Sequence, residues 1–187
     1  MRIIAGQWRG RPLTAPKGDT TRPTADRTRE ALFSMLNSRM GDLEGLAVAD
    51  LFAGSGALGL EALSRGAASC LFVEQDRSAL DALRANAGKL GLDHPDIRAA
   101  SALNLGTAPR PLDLIMMDPP YGTGAGAVAL DKLNRQGWIG PATWVSIETD
   151  RKETITVKGF EVETVRDIGK ARLHLLRHVN EAENSPA

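Results

Sequence analysis

The chain predicts an α/β fold built on a doubly wound, mostly parallel sheet, and three observations carry that prediction. From residue 46 onward, short apolar runs alternate with helical stretches, the pattern of successive strand, crossover helix and parallel strand. A glycine-rich turn, Gly54-Ser55-Gly56-Ala57-Leu58-Gly59, lies between one such run and the helix after it. A later apolar run ends on Asp118-Pro119-Pro120-Tyr121. Both motifs fall at the carboxyl ends of strands, where open α/β sheets bind their ligands.

Taken in order, residues 2–5 and 11–14 are short extended candidates around Gly6 and Gly10, which predicts a small hairpin ahead of the main domain. Pro23-Thr24-Ala25-Asp26 reads as a helix entry, continued by Ala31, Leu32, Met35 and Leu36 at helical spacing. Leu46 to Phe52 predicts a strand and Leu58 to Ser64 a helix that ends near Gly66. A strand at Cys70 to Val73 and a helix at Ser78 to Leu90, stopped by Gly91, follow. Ile97 to Ala100 is a weaker strand, Leu112 to Met117 a buried one, Ala125 to Asn134 a helix and Trp144 to Ile147 a strand. The tail changes character. Thr154 to Val157, Phe160 to Val165 and Ala171 to Val179 predict an antiparallel edge that finishes the sheet, with turns at Gly159 and Gly169. Residues 180–187 are polar and are expected to be disordered. The resulting division is a basic extension over residues 1–40, one main domain over 41–179, and the tail.

With 187 residues, 42% of them hydrophobic, the chain can bury one full core. Its 23 basic and 23 acidic residues cancel, but the first forty residues hold eight of the former and three of the latter. A basic arm on an acidic body is a candidate phosphate-contacting surface, against the plainer reading of a solvated arginine-rich face. Cys70 stands alone and opens an apolar run, so a buried thiol is expected and no disulfide framework. No stretch of eighteen apolar residues occurs, which argues against membrane insertion and for a cytoplasmic location. His94, His174 and His178 are read as surface or edge histidines, and no metal is expected.

The glycine turn satisfies the spacing of a dinucleotide fingerprint, with Glu74 twenty residues after Gly54 at the end of the next strand. That spacing alone serves any adenosine-containing ligand. Asp50 narrows the choice, because a carboxylate just before the turn repels a pyrophosphate, whereas S-adenosylmethionine carries an ammonium and a sulfonium that an acid attracts. The cofactor candidates are therefore Asp50, Phe52, Ala53, Gly54, Ser55 and Gly56 in the turn, and Glu74 with Gln75 for the ribose hydroxyls. Ser101 and Ala102 stand past the third strand, near an adenine. Gly59 is read as a packing glycine.

Asp118, Pro119, Pro120 and Tyr121 form the candidate catalytic set. An aromatic exocyclic amine is a poor nucleophile because its lone pair is delocalised into the ring. Two acceptors that draw both N–H bonds to one side pyramidalise the nitrogen and free that pair. The Asp118 carboxylate and the Pro119 carbonyl can be those acceptors, the paired prolines stiffen the loop, and Tyr121 offers a ring for stacking. Direct displacement follows, with alignment as the main catalytic task and no covalent enzyme intermediate.

These residues resemble the RsmD family of bacterial small-subunit ribosomal RNA guanine-N2 methyltransferases. The resemblance rests on Met1-Arg-Ile-Ile-Ala-Gly6, on Thr21 to Phe33, on Asp50 to Ala67, on Val73-Glu74 and on Asp118-Pro-Pro-Tyr121, and covers all but the last few residues. It implies a class I S-adenosylmethionine-dependent methyltransferase fold with seven strands, the last antiparallel. It also implies methylation of guanine N2 at position 966 of 16S ribosomal RNA, in a small subunit or assembly intermediate, by a monomer. By motif position, Thr24 of Arg22-Pro23-Thr24 approaches the cofactor's methionine end, with Asp26 and Arg27 nearby. Arg2, Trp8, Arg9, Arg11, Arg22 and Arg27 become candidate RNA contacts. Ser101 departs from the Asp or Asn of similar enzymes, and Asp167 to Leu173 lacks an aromatic found in relatives. Two rivals share the motifs: a DNA adenine-N6 or cytosine-N4 methyltransferase, for which 187 residues leave no recognition domain, and a cofactor-binding ribosome-assembly factor that acts by docking.

Overall fold

The computed structural model describes residues 1–16 and 23–179. Arg22, the side chain of Thr24 and the 180–187 tail, each named above, lie outside the described residues. Helix α1 (Pro23–Met40) opens with proline at its first position, where a missing N–H costs nothing. It stops at Gly41, whose φ of 83° turns the chain out of the helix. Then come β1 (Ala47–Leu51), α2 (Ala57–Ser64), β2 (Ser69–Glu74), α3 (Arg77–Lys89) and β3 (Asp96–Ala99). A 3-10 turn at Ala102–Asn104 leads to β4 (Leu114–Met117), α4 (Ala125–Arg135), β5 (Trp144–Asp150), β6 (Phe160–Ile168) and β7 (Ala171–His178).

The strands form one seven-stranded sheet in the order β3-β2-β1-β4-β5-β7-β6. β7 runs antiparallel to both of its neighbours, while β1 to β5 pair in parallel. Every residue of β1 and β4 is buried, as expected of central strands covered on both faces. Alternation sorts them: Val48, Phe72, Leu114, Met116, Leu173 and Leu175 pack with Leu32 and Leu36 of α1, Leu60 of α2 and Leu83 of α3. On the opposite face, Ala49, Leu51, Val73, Ile115, Met117, Val145 and Ile147 pack with Leu130 and Leu133 of α4 and with Trp138. Cys70 is buried as expected, and burial pushes its thiol pKa up.

Three expectations need correction. Residues 2–5 and 11–14 form no named strands. A single bridge between Arg2 and Pro12 joins them, closed by bonds from the Gly10 N–H to the Ile3 carbonyl and from the Ile3 N–H to the Arg11 carbonyl, both 2.9 Å. Thr154 to Val157 is also no strand. The Glu153 carboxylate, bonded by the Gly122 and Asp150 N–H groups, turns the segment off the sheet, and Val157 buries itself as coil in the α4-side core. Finally, His174 is neither a surface nor an edge histidine. β7 inserts between β5 and β6, so His174 is buried and shares a 3.1 Å hydrogen bond with Thr149.

The N-terminal arm is fixed to the domain by polar groups with their own buried partners. Glu61, on α2 and fully buried, accepts the N–H groups of Ile4 and Ala5 at 2.8 and 3.0 Å and the Arg65 Nε–H at 2.8 Å. Ser64 donates to the Ala5 carbonyl and accepts from the Trp8 N–H. A Cβ on Gly6 would lie 1.7 Å from the Ser64 carbonyl oxygen, so only glycine admits this approach. From α3, Asn86 accepts the Thr14 N–H and donates to the Thr14 and Ser55 carbonyls, tying arm and glycine turn to one side chain. No helix among the described residues is long and apolar enough to cross a membrane.

Candidate active site

The chain leaves β1 through a strained turn. Phe52 is the one non-glycine residue among those described with a positive φ, 60°, followed by Gly54 at 54° and Gly56 at 80°. Such a conformation at a bulky residue is retained where the surroundings enforce it, commonly at a functional site. Two carboxyl groups do so here. Asp50, 1% exposed, accepts the Gly59 N–H at 2.8 Å and so satisfies an orphan donor in the first turn of α2. Glu74, at the end of β2, accepts the Gly54 N–H at 2.8 Å with one oxygen and the Gln75 and Asp76 N–H groups at 2.7 and 2.8 Å with the other. Burial raises the Asp50 pKa well above the usual carboxylate range, reinforced by the nearby charges of Asp118 and Glu74 and opposed by the Gly59 bond. A Cβ on Gly59 would sit 2.3 Å from a Phe72 ring carbon and 2.6 Å from the Cys70 sulfur, so this glycine brings α2 against the sheet.

Across the cleft, β4 delivers Asp118 to the surface and buries Pro119 beneath it. A Cβ on Gly126 would stand 3.2 Å from the Pro119 ring, which places α4 close under the loop. Tyr121 is 47% exposed, and its hydroxyl donates to Glu148 at the end of β5 over 2.5 Å. Burial and that bond raise the Tyr121 pKa, and burial raises that of Glu148, so the phenol keeps its proton and remains the donor. Thr123 donates to the Pro120 carbonyl at 2.7 Å, which ends the loop ahead of α4.

Glycine turn and Pro-Pro loop face a single cleft of about 1060 Å³. Of the candidates, the structure brings Asp50, Phe52, Ala53, Gly54, Ser55, Asp118, Pro119, Pro120 and Tyr121 to its wall. Glu74, Gln75, Gly56, Ser101 and Ala102 are not on that wall. Glu74 reaches it through the Gly54 N–H, and the Ser101 hydroxyl caps the 3-10 turn by accepting the Leu103 N–H. Four charged wall residues escaped sequence reasoning: Arg29, Glu148, Asp150 and Lys170. Arg29 is buried, bonded to Asp26 and the Arg2 carbonyl, and 3.7 Å from Glu61. The one local signal for Glu148 was its place at a strand's carboxyl end, the place Asp118 holds on the neighbouring strand. On that wall the acids Asp50, Asp118, Glu148 and Asp150 outnumber the bases Arg29 and Lys170, and Arg29 is already bonded to Asp26, a balance that favours a ligand with positive charge over a pyrophosphate.

Outside the cleft, Arg2, Arg9, Arg11 and Arg27 are exposed. Arg11 also donates to the Lys89 carbonyl at 2.8 Å. Trp8, also a candidate RNA contact, is partly buried and packs against the core that α1 and α2 cover. Among the described residues no group of three His, Cys, Asp or Glu side chains is arranged as metal ligands would be.

A strand order of 3-2-1-4-5-7-6 with β7 reversed, a glycine turn after β1 and an acid after β4 together point to one fold, the class I methyltransferase fold. A family model described as conserved hypothetical protein 95 matches residues 1–177. The chain belongs to that family, the RsmD family. Its relatives include the ribosomal RNA small subunit methyltransferase D of Escherichia coli, 38% identical over 151 residues that cover 80% of this chain and 75% of that one. The protein of the same name from Haemophilus influenzae is 33% identical over 160 residues, 83% of this chain and 81% of its own. Among solved structures, the Escherichia coli yhhF protein, described as a candidate methyltransferase, superposes with a TM-score of 0.82 at 32% identity, covering 96% of this chain and 98% of that one.

Proposed function

We propose that this protein methylates the exocyclic N2 amine of a guanine in small-subunit ribosomal RNA, with S-adenosylmethionine as the donor. The observation that carries the reading is the shared cleft, in which an acid-bearing Pro-Pro-Tyr loop at the end of β4 faces a glycine turn at the end of β1. The names of the relatives support ribosomal RNA as the substrate. The wall chemistry supports the donor, since a lining in which acids outnumber bases suits an ammonium and a sulfonium better than a pyrophosphate. Bound there, S-adenosylmethionine supplies an electrophilic methyl group.

The chain's own residues do the rest. Phe52, Gly54 and Ser55 offer turn backbone to the nucleoside, and Glu74 holds that turn in shape through the Gly54 N–H. Asp118 and the Pro119 carbonyl accept the two amine hydrogens, which turns the nitrogen lone pair out of the base plane. Tyr121 stacks on the base, a contact of roughly 1 to 3 kcal/mol. Asp118 receives the proton that the amine loses after attack. The oxyanion-hole analogy sets the scale: a donor or acceptor aimed at developing charge contributes about 10²–10³ in rate. Arg2, Arg9, Arg11 and Arg27 supply phosphate contacts from an arm spanning residues 1–40, and their substitution by alanine should flatten the salt dependence of RNA binding. The substrate presents its guanine already unpaired within the small subunit or an assembly intermediate, and the enzyme acts as a monomer.

Mass spectrometry of nuclease fragments of small-subunit ribosomal RNA, from cells with and without the gene, tests the reading. Loss of N2-methylguanine at one position is the expected result. Unchanged methylation at every guanine would sink it and direct the search to N6-methyladenine in DNA.

A further inference from the structure

The amine clamp cannot by itself choose a base. Guanine, adenine and cytosine all carry an exocyclic amine beside a ring nitrogen, and two acceptors at Asp118 and Pro119 would grip any of them. The three differ at the neighbouring ring nitrogen. In adenine and cytosine it is a bare acceptor, whereas in guanine N1 carries a hydrogen. A site that selects guanine needs a further acceptor next to the clamp.

We infer that Glu148 is that acceptor and reads the guanine N1–H; the inference rests on the methyltransferase reading above. Met117 pairs with Ile147 in the parallel β4–β5 register, so Asp118 and Glu148 follow side by side at the strands' carboxyl ends. Adjacent strands lie about 4.8 Å apart, so the two side chains start from neighbouring backbones and can converge on one base edge. Both side chains line the same cleft. Glu148 is half-buried, and its Oε1 accepts the Tyr121 hydroxyl at 2.5 Å, which fixes the carboxylate beside the ring on which the base stacks. A carboxylate has about four acceptor sites, so one phenol leaves it able to take an N–H. Asp150, two residues on, is less suited: the β4–β5 register puts Glu148, and not Asp150, level with Asp118. Facing adenine, Glu148 would set a carboxylate oxygen against a bare ring nitrogen, an unpaired contact of the kind that lets a hydrogen-bonding site reject an analogue strongly.

The probe is small-subunit ribosomal RNA whose target guanine is replaced by 2-aminopurine, which keeps the amine and loses the N1 hydrogen together with O6, so the Glu148→Gln comparison is what assigns the effect to N1. Wild-type protein should prefer guanine to 2-aminopurine by roughly 10²-fold in kcat/KM. Glu148→Gln still accepts the Tyr121 hydroxyl through its amide oxygen but can turn an N–H donor to a bare N1, so it should lose activity on guanine and narrow that preference at least about tenfold. Tyr121→Phe breaks the phenol bond and leaves the carboxylate, so its guanine preference should persist while overall turnover falls. Retained S-adenosylhomocysteine binding in both variants reports a folded cofactor site. Equal use of guanine and 2-aminopurine by the wild type would overturn the assignment without any variant. So would a Glu148→Gln preference like that of the wild type, or a Tyr121→Phe profile that copies Glu148→Gln, which would make Glu148 only a positioning residue for the ring. Transfer to neither RNA by the wild type is a different failure, that of the methyltransferase reading itself.

Discussion

The β1–α2–β2 half of the molecule and the β4–β5 half use the same residue type to opposite ends. In the first, three carboxylates are committed to the protein's own backbone. Asp50 holds one N–H, Glu61 two and Glu74 three. In the second, Asp118 is exposed at the cleft and the half-buried Glu148 accepts the Tyr121 hydroxyl. Buried acids that satisfy backbone donors build a fixed shape, because leaving those donors unpaired costs more than the bonds gain. Acids at a strand end with capacity to spare can meet a substrate. The difference teaches that an acidic residue near a ligand cleft is to be judged by what it already holds.

The contrast predicts that substitutions in the first half cost stability and that those in the second cost turnover. The largest effect is expected at Glu61. Glu61→Ala strips the Ile4 and Ala5 N–H groups of their acceptor and leaves Arg29 and Arg65 without a buried counter-charge. Breaking such a buried network costs about 3–5 kcal/mol, readable as a lower denaturant midpoint at unchanged slope. Retained stability would show that the arm is held by its apolar contacts alone. Asp118→Ala is the counterpart: kcat should fall by about 10²–10³, with a smaller loss of unfolding free energy than Glu61→Ala causes. A large loss of stability at Asp118 would erase the distinction between the halves.

A smaller effect sharpens the same boundary. Gly59→Ala drives a methyl group into Phe72 and Cys70, and overpacking of this kind costs about 1–3 kcal/mol. Thermal unfolding should register the shift while S-adenosylhomocysteine still binds, since Gly59 faces the sheet and not the cleft. Unchanged stability would mean that α2 slides on the sheet.

What the sequence revealed and what it hid divide along the same lines. The glycine turn, Asp118 to Tyr121 and most element boundaries were legible because each is encoded by contiguous residues with a period of 2 or 3.6 or by a turn signal. Glu61 and Asn86 were hidden because their partners lie 56 to 72 residues away, and an acid or amide on a helix carries no mark of where it is aimed. Glu148 was hidden for a related reason. Its significance comes from standing beside Asp118, and that neighbour is set by the pairing of β4 with β5, which no local pattern specifies. His174 was misjudged because the insertion of β7 between β5 and β6 converts an apparent edge strand into an interior one.

His174 also supplies the smallest predicted effect and tests whether the β4–β5 half is free of structural polar groups beneath its surface. It pairs in register with Ile147, one residue before Glu148, and is buried against Thr149. Burial lowers its pKa, and the Arg172 charge adds to this against weaker pulls from Asp167 and Glu153. The folded protein therefore holds the neutral imidazole, while the unfolded chain takes up a proton near the ordinary histidine pKa of about 6.5. Stability should fall as pH drops through that value and level off once pH passes below the folded-state pKa, where both states are protonated. Carboxylates elsewhere add slopes at lower pH, so the comparison has to be made against a variant. His174→Leu leaves the Thr149 hydroxyl its bond to the Asp150 carbonyl and should flatten the slope between pH 7 and 6. Parallel slopes for variant and wild type would place the proton uptake elsewhere. A flattened slope with an unaltered base preference would show that the buried polar chemistry next to Glu148 in the sheet serves the fold, and that selectivity resides in the groups facing the cleft.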